Sequence, residues 1–174
     1  MVGLQGAFSA LHGSDINPRP HPRYWFLNDE IDFLQTEVPL RPDVERGWII
    51  TNPPFNRAED FVFKAHALGF ERMAFLVQLR WLESERRYLS IFSRDMRPDM
   101  VLLFAERVPM LKGRLHRAAA TATAYCWVVW APELRGDFCR IDWIPSGTRR
   151  QLEVAGDYDD DLPQLFPADT EVGR

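Results

Sequence analysis

The run Trp48-Ile49-Ile50-Thr51-Asn52-Pro53-Pro54-Phe55 constrains this chain more than any other stretch. Four residues of strand character, Trp48 to Thr51, stop at Asn-Pro-Pro. The two prolines fix φ and carry no N–H, so neither a ladder nor a helix runs through them. Helical spacing then begins at once. Ala58, Phe61, Val62, Ala65 and Leu68 recur on one face, Asn56 with Glu59 three residues on forms a capping-box pattern, and Gly69 is a natural C-terminal stop. A buried strand, a rigid turn and a helix that packs one face on a sheet are therefore expected around Asn52.

The flanking chain continues the alternation. Gly6 to Leu11 reads as the last turns of a helix, His12 to Ile16 as a short strand, and the Pro-rich stretch Asn17 to Arg23 as non-helical. Asn28 to Leu34 has mixed periodicity. Arg72 to Leu79 is the next strand and Ser84 to Arg94 the next helix, with Tyr88, Leu89, Ile91 and Phe92 as its apolar side and Pro98 beyond its end. Met100 to Ala105 and Ala124 to Ala131 are further strands across a long segment, and Phe138 to Ile144 adds one more. Strand and helix in alternation, followed by strands joined without a helix, predict an α/β fold with a mainly parallel sheet and an antiparallel edge strand.

Residues 1–155 form one domain on this reading, within a chain of 174 residues that is 46% hydrophobic and 13% aromatic, enough for a packed core. Residues 156–174 are an acidic, Pro-containing tail. The formal net charge of −4 hides that split, because Asp157, Asp159, Asp160, Asp161, Asp169 and Glu171 crowd the tail and leave the folded part near neutral. Two cysteines, Cys126 and Cys139, make neither a disulfide framework nor a zinc site, which points to a reduced cytoplasm. No stretch is apolar for long enough to span a membrane, and the N-terminus has no signal pattern. His12, His21, His66 and His116 lack ligand spacing, so no metal is expected.

Asn-Pro-Pro-Phe carries chemistry as well as geometry. A planar amine, such as the exocyclic nitrogen of adenine or an amide nitrogen, is a poor nucleophile because its lone pair is delocalised. An Asn side-chain oxygen and the carbonyl of the next Pro can both accept from one NH₂ and hold it as charge develops on nitrogen, with no strong base required. Pro54 stiffens the presenting turn, and Phe55 offers a ring on which a planar group can stack. The bland alternative is a strand ending at Asn-Pro followed by an extended Pro-Pro linker. By composition alone, Asn-Pro-Pro-Phe arises in a chain of this length roughly once in a thousand.

Trp48 to Phe55, together with the strand end Gln78-Leu79-Arg80-Trp81-Leu82-Glu83 and the run Thr121-Ala122-Thr123-Ala124-Tyr125-Cys126-Trp127, resembles the class I S-adenosylmethionine-dependent amino-methyltransferases. Within that group the chain looks most like short phage and prophage-type DNA adenine methyltransferases, over residues 6 to 145. The resemblance implies a Rossmann-like fold, S-adenosylmethionine as cofactor, and Asn52, Pro53, Pro54 and Phe55 as the catalytic motif. It sets Asp15 against the cofactor ribose and Asp32 with Phe33 beside its adenine. An Asp closing a strand is otherwise a turn residue or cap, and that reading stays open for both.

The family also begins with a strand and a Gly-rich turn that approaches the methionine half of the cofactor. Nothing upstream of Asp15 matches them, so the first strand of the fold is expected to be absent and cofactor binding by this chain weak. Lys112, Arg114, His116 and Arg117 form a cationic cluster where the family often contacts its target, which suggests DNA as partner and RNA as the alternative. Trp81 and Trp130 are secondary candidates for stacking on a flipped base, or else core residues. Ribosomal RNA guanine or protein glutamine are alternative substrates, and a non-catalytic binding or scaffold module is the alternative of another class. A sheet edge exposed by an absent strand favours self-association.

Overall fold

A computed structural model describes residues 7–17, 27–37, 47–93, 96–108 and 123–153. The described strands form two sheets. A short pair, β1 (Gly13–Asp15) and β2 (Leu27–Glu30), forms a two-stranded parallel sheet. The main sheet has five strands, β3 (Trp48–Thr51), β4 (Arg72–Gln78), β5 (Met100–Phe104), β6 (Tyr125–Trp130) and β7 (Arg140–Ile144), in the order β3-β4-β6-β5-β7. β3 pairs parallel with β4 and β5 with β7, while β6 runs antiparallel to both its neighbours. The class is α/β with a mixed sheet. The antiparallel strand is not at the edge, as the sequence suggested, but in the interior between β4 and β5. Its run of Tyr125, Cys126, Val128, Val129 and Trp130 is buried, which a strand flanked on both sides can satisfy and an edge strand cannot.

β4 is the centre. Met73, Ala74, Phe75, Leu76 and Val77 are all buried, so both faces of the strand need cover. One face carries Met73, Phe75 and Val77 with Cys126, Val128, Trp130 and Val101, packed under α1 (Ala58–Ala67) through Ala58, Val62 and Ala65. The other gathers Ala74, Val129 and Ala131 with Trp48, Ile50, Leu102, Trp127 and Leu134. Phe75 meets Trp130 edge to face at 5.9 Å, and the Trp130 indole N–H donates to the Met96 carbonyl at 2.7 Å. Trp81 is also core, edge-on to Phe92 at 5.6 Å and under the Arg87 guanidinium at 5.2 Å. Neither Trp is free to stack on a base.

Several local expectations are corrected. The stretch from Ala7 to Leu11 is turn, bridge, bend and irregular chain rather than helix. The capping box at Asn56 does not form. The Phe55–Arg57 turn is closed by Arg57 N–H donating to the Pro54 carbonyl at 2.8 Å, Arg57 takes the N-cap position without a side-chain bond, and Glu59 faces inward. The helix after β4 begins as expected, with Ser84 capping Arg87, as α2 (Glu85–Arg87), and then widens into a π-helix over Tyr88–Phe92. That extra residue per turn rotates the apolar side, so Ile91 is buried while Tyr88 and Leu89 face solvent. By contrast Gly69, at φ +84°, ends α1 where only glycine sits without strain.

At the other end of the sheet, buried Asp99 knits three strands. Its Oδ2 accepts from Ala131 N–H at 2.8 Å, its own N–H donates to Val129, and its carbonyl accepts from Arg140 N–H. Beyond β7, α3 (Thr148–Leu152) carries Arg149 and Arg150. No helix among the described residues is long and apolar enough to cross a membrane.

Two stability outcomes follow from this core. Phe75→Ala, at a fully buried position, is expected to cost about 3–5 kcal/mol, measured as the loss of unfolding free energy in urea. Burial also pushes the Cys126 thiol up from 9.0 to about 11. The folded state then keeps a proton that the unfolded chain releases, so this contribution is full below about pH 9 and is lost as pH rises towards 11. The thermal midpoint should fall across that window, and Cys126→Ala should flatten the fall.

Candidate active site

The candidate residues stand just past the carboxyl ends of parallel strands: Asp15 closes β1, Asp32 follows β2, Asn52 follows β3, and Gln78 closes β4. Open α/β sheets place their ligand sites at such ends, because the loops there are free to vary while the strands hold them still.

Asn52 is exposed, Pro53 is buried and Phe55 is half-buried. The turn divides its carbonyls. That of Pro54 accepts the Arg57 N–H, whereas that of Pro53 and the amide of Asn52 take no hydrogen bond among the described residues. Both acceptors required for an NH₂ group are therefore unspent among the described residues. The Phe55 ring leans on Tyr125, with centroids 5.5 Å apart and planes 38° from parallel. Tyr125 lies opposite Gln78 in the β4–β6 ladder. Beside that pair opens a groove of about 400 Å³ lined by Gln78, Leu79, Arg80, Glu83, Thr123 and Ala124, in which the Arg80 Nε–H donates to Gln78 Oε1 at 2.7 Å.

Behind the turn, Glu59 anchors the first turn of α1. It is buried, yet its Oε2 accepts from Arg86 Nε and Nη2 at 3.1 and 2.6 Å, and its Oε1 accepts from the Ser90 hydroxyl at 3.0 Å. The hydrogen bond and charge of Glu59 push the Arg86 guanidinium's pKa further up. A carboxylate at the first turn of a helix also opposes the positive end of the helix dipole. The contact of Tyr125 with Phe55 and the joining of Glu59 to Arg86 and Ser90 were not expected from the sequence. A Tyr opening the run after Thr123-Ala124 and a Glu in an apolar helix face were the signals available.

Asp15 and Asp32 perform local work. Asp15 Oδ1 accepts from Asn17 N–H at 2.8 Å, and Asp32 Oδ1 accepts from Leu34 N–H at 3.0 Å, capping the 3-10 turn Phe33–Gln35. Each carboxylate has a second oxygen, which is what a ribose diol or an adenine amine requires. The Asp15 carbonyl accepts from Ile31 N–H, which ties the two acidic positions together, and Phe33 stacks on Phe61 of α1 at 5.2 Å. The structure thus joins Asp15, Asp32 and Phe33 to the helix that follows Phe55.

Lys112, Arg114, His116 and Arg117 lie outside the described residues, as does the segment 156–174. Among the described residues no group of three His, Cys, Asp or Glu side chains is set to hold a metal. Against family models, curated proteins and solved structures, the chain returns no match.

The mount behind the turn is testable without any substrate. Glu59→Ala should loosen the start of α1 and attenuate the nuclear Overhauser contact between the Phe55 and Tyr125 rings. Glu59→Gln, which keeps an acceptor for Ser90, should preserve more of it. An unchanged contact in the alanine variant would show that the turn holds itself.

Proposed function

We propose that this chain is a Rossmann-like, S-adenosylmethionine-dependent amino-methyltransferase domain directed at the exocyclic amine of adenine in DNA. The observation that carries the reading is the pair of acceptors at the carboxyl end of β3, the exposed Asn52 side-chain oxygen and the carbonyl of buried Pro53, neither of which takes a hydrogen bond among the described residues. An amine donating both hydrogens to them has its nitrogen held in place. As the lone pair leaves the ring to attack, the N–H groups become more acidic and those two bonds tighten. The stabilisation is therefore greater in the transition state than in the ground state, which is what accelerates a reaction.

Phe55, braced by Tyr125, presents a ring for the base, and the adjoining groove gives room for what is attached to it. Asp15 and Asp32 would hold the ribose and adenine of the cofactor, with Phe33 alongside. When bound, S-adenosylmethionine supplies a methyl group activated on a sulfonium. No covalent enzyme intermediate would be needed, since the amine is itself the nucleophile: its N–C bond would form as the methyl–sulfur bond breaks, and the methylated nitrogen would then release one N–H proton to water. The cationic residues Lys112, Arg114, His116 and Arg117 would neutralise phosphate. A second reading is favoured by one observation: both acidic positions already cap their own loops. In that reading the chain keeps the fold and turn but binds without catalysis.

Methyl transfer from a labelled donor to DNA, ribosomal RNA and protein substrates separates these readings. Label on adenine is the expected result, label on guanine or glutamine would change the substrate class, and no label on any would leave the non-catalytic module. Asn52→Ala should lower transfer about 10²–10³-fold with an unchanged circular dichroism spectrum, because one preorganised acceptor is lost from an exposed position. Activity within twofold of the parent, about 0.4 kcal/mol, would remove Asn52 from the chemistry.

A further inference from the structure

We propose that β7 is a dimerisation edge, through which two copies of this chain pair antiparallel about a two-fold axis at Ile141. β7 ends the sheet order, and among the described residues no strand lies beyond it. It is apolar where a monomer's edge is usually guarded: Ile141 is 60% exposed, Trp143 58% and nearby Phe138 81%.

The backbone phase limits the registers. Arg140 N–H donates to the Asp99 carbonyl at 2.9 Å and Ala105 N–H to the Ile144 carbonyl at 3.0 Å, so Arg140, Asp142 and Ile144 turn their backbone groups towards β5. Cys139, Ile141 and Trp143 then turn theirs outward, and a second strand must bond to these. Centring the pair on Arg140 or on Asp142 sets like charges face to face. Centring it on Trp143 or Ile144 brings in Pro145, which has no N–H to give. Of the five centres within β7, only Ile141 remains.

That centre is self-complementary. Arg140 faces Asp142 of the second copy, and Asp142 faces its Arg140, at positions where cross-strand side chains lie closest. The Asp142 carboxylate now accepts Trp143 N–H at 2.8 Å. On pairing, that N–H passes to the Cys139 carbonyl of the second copy and the carboxylate turns to arginine. Trp143 of the second copy also comes opposite Cys139, on the face that carries Val101. Cys139 and Val101, with Leu82, Phe92, Pro98 and Arg97 at the side, line a mainly apolar depression of about 200 Å³, and the indole fills it. The patch is small for a permanent dimer, so a dissociation constant of roughly micromolar order is expected.

Sedimentation velocity on the full chain over a wide concentration range tests this, with Arg140→Asp, Asp142→Arg and the double exchange. All three change exposed side chains, and circular dichroism checks the fold. The parent should dimerise, each single reversal should weaken association about tenfold or more by opposing like charges, and the double exchange should restore it. A parent that stays monomeric would overturn the proposal. So would a dimer indifferent to the single reversals, or a double exchange that restores nothing.

Discussion

Burial of β4 on both faces is the constraint from which the rest of the structure follows. Five consecutive buried residues, Met73 to Val77, cannot be covered by one layer. Pairing parallel to β3 forces the chain to cross over between them, and the crossover is α1, which lays Ala58, Val62 and Ala65 on the face that carries Phe75. Pairing antiparallel to β6 places the start of β6 beside the end of β4. The carboxyl ends of β3 and β4 and the start of β6 thereby share one end of the sheet. Asn52, Gln78 and Tyr125 meet there because β4 is buried, not because any local signal draws them together.

The turn at Asn52 needs more than its prolines, since a rigid turn on a loose helix would still wander. Two contacts hold α1 from opposite sides. Glu59 is clamped by Arg86 and Ser90 from the segment after β4, and Phe61 receives Phe33 from the segment after β2. A buried carboxylate is stable only when its oxygens are satisfied, and here both are. The same helix is thus the common support for the acceptor turn and for the acidic positions Asp15 and Asp32, which would face a cofactor in the proposed reading.

What was legible in the sequence was local. Strand Trp48–Thr51, the proline turn, the buried face of α1 and its stop at Gly69 are each written within a few residues, and each is found. The local capping roles of Asp15 and Asp32 were legible for the same reason. Tyr125 against Phe55, and Arg86 on Glu59, were not, because the partners are set by strand order and helix placement rather than by spacing. The apolar run of β6 signals burial on both faces but not which strands flank it, so its insertion between β4 and β5 had no sequence signature. Asn56 with Glu59 has the spacing of a capping box, but the turn closed on the Pro54 carbonyl moves the helix start past Asn56, and Arg86 competes for the carboxylate.

The two edges of the sheet carry different burdens. At β3 the edge strand is short, its residues are half-buried, and it runs into the acceptor turn, so any chain docking along it would crowd Asn52. At β7 the charges that ordinarily protect an edge alternate with Ile141 and Trp143 in an order that is its own complement. Protection by charge works when an approaching strand meets like charge, and Arg-Ile-Asp meets opposite charge when the approaching strand is a second copy running the other way. Pairing there extends the sheet away from β3. The end that presents Asn52, Phe55 and the groove at Gln78 stays open, so the dimer proposed here leaves the proposed site accessible.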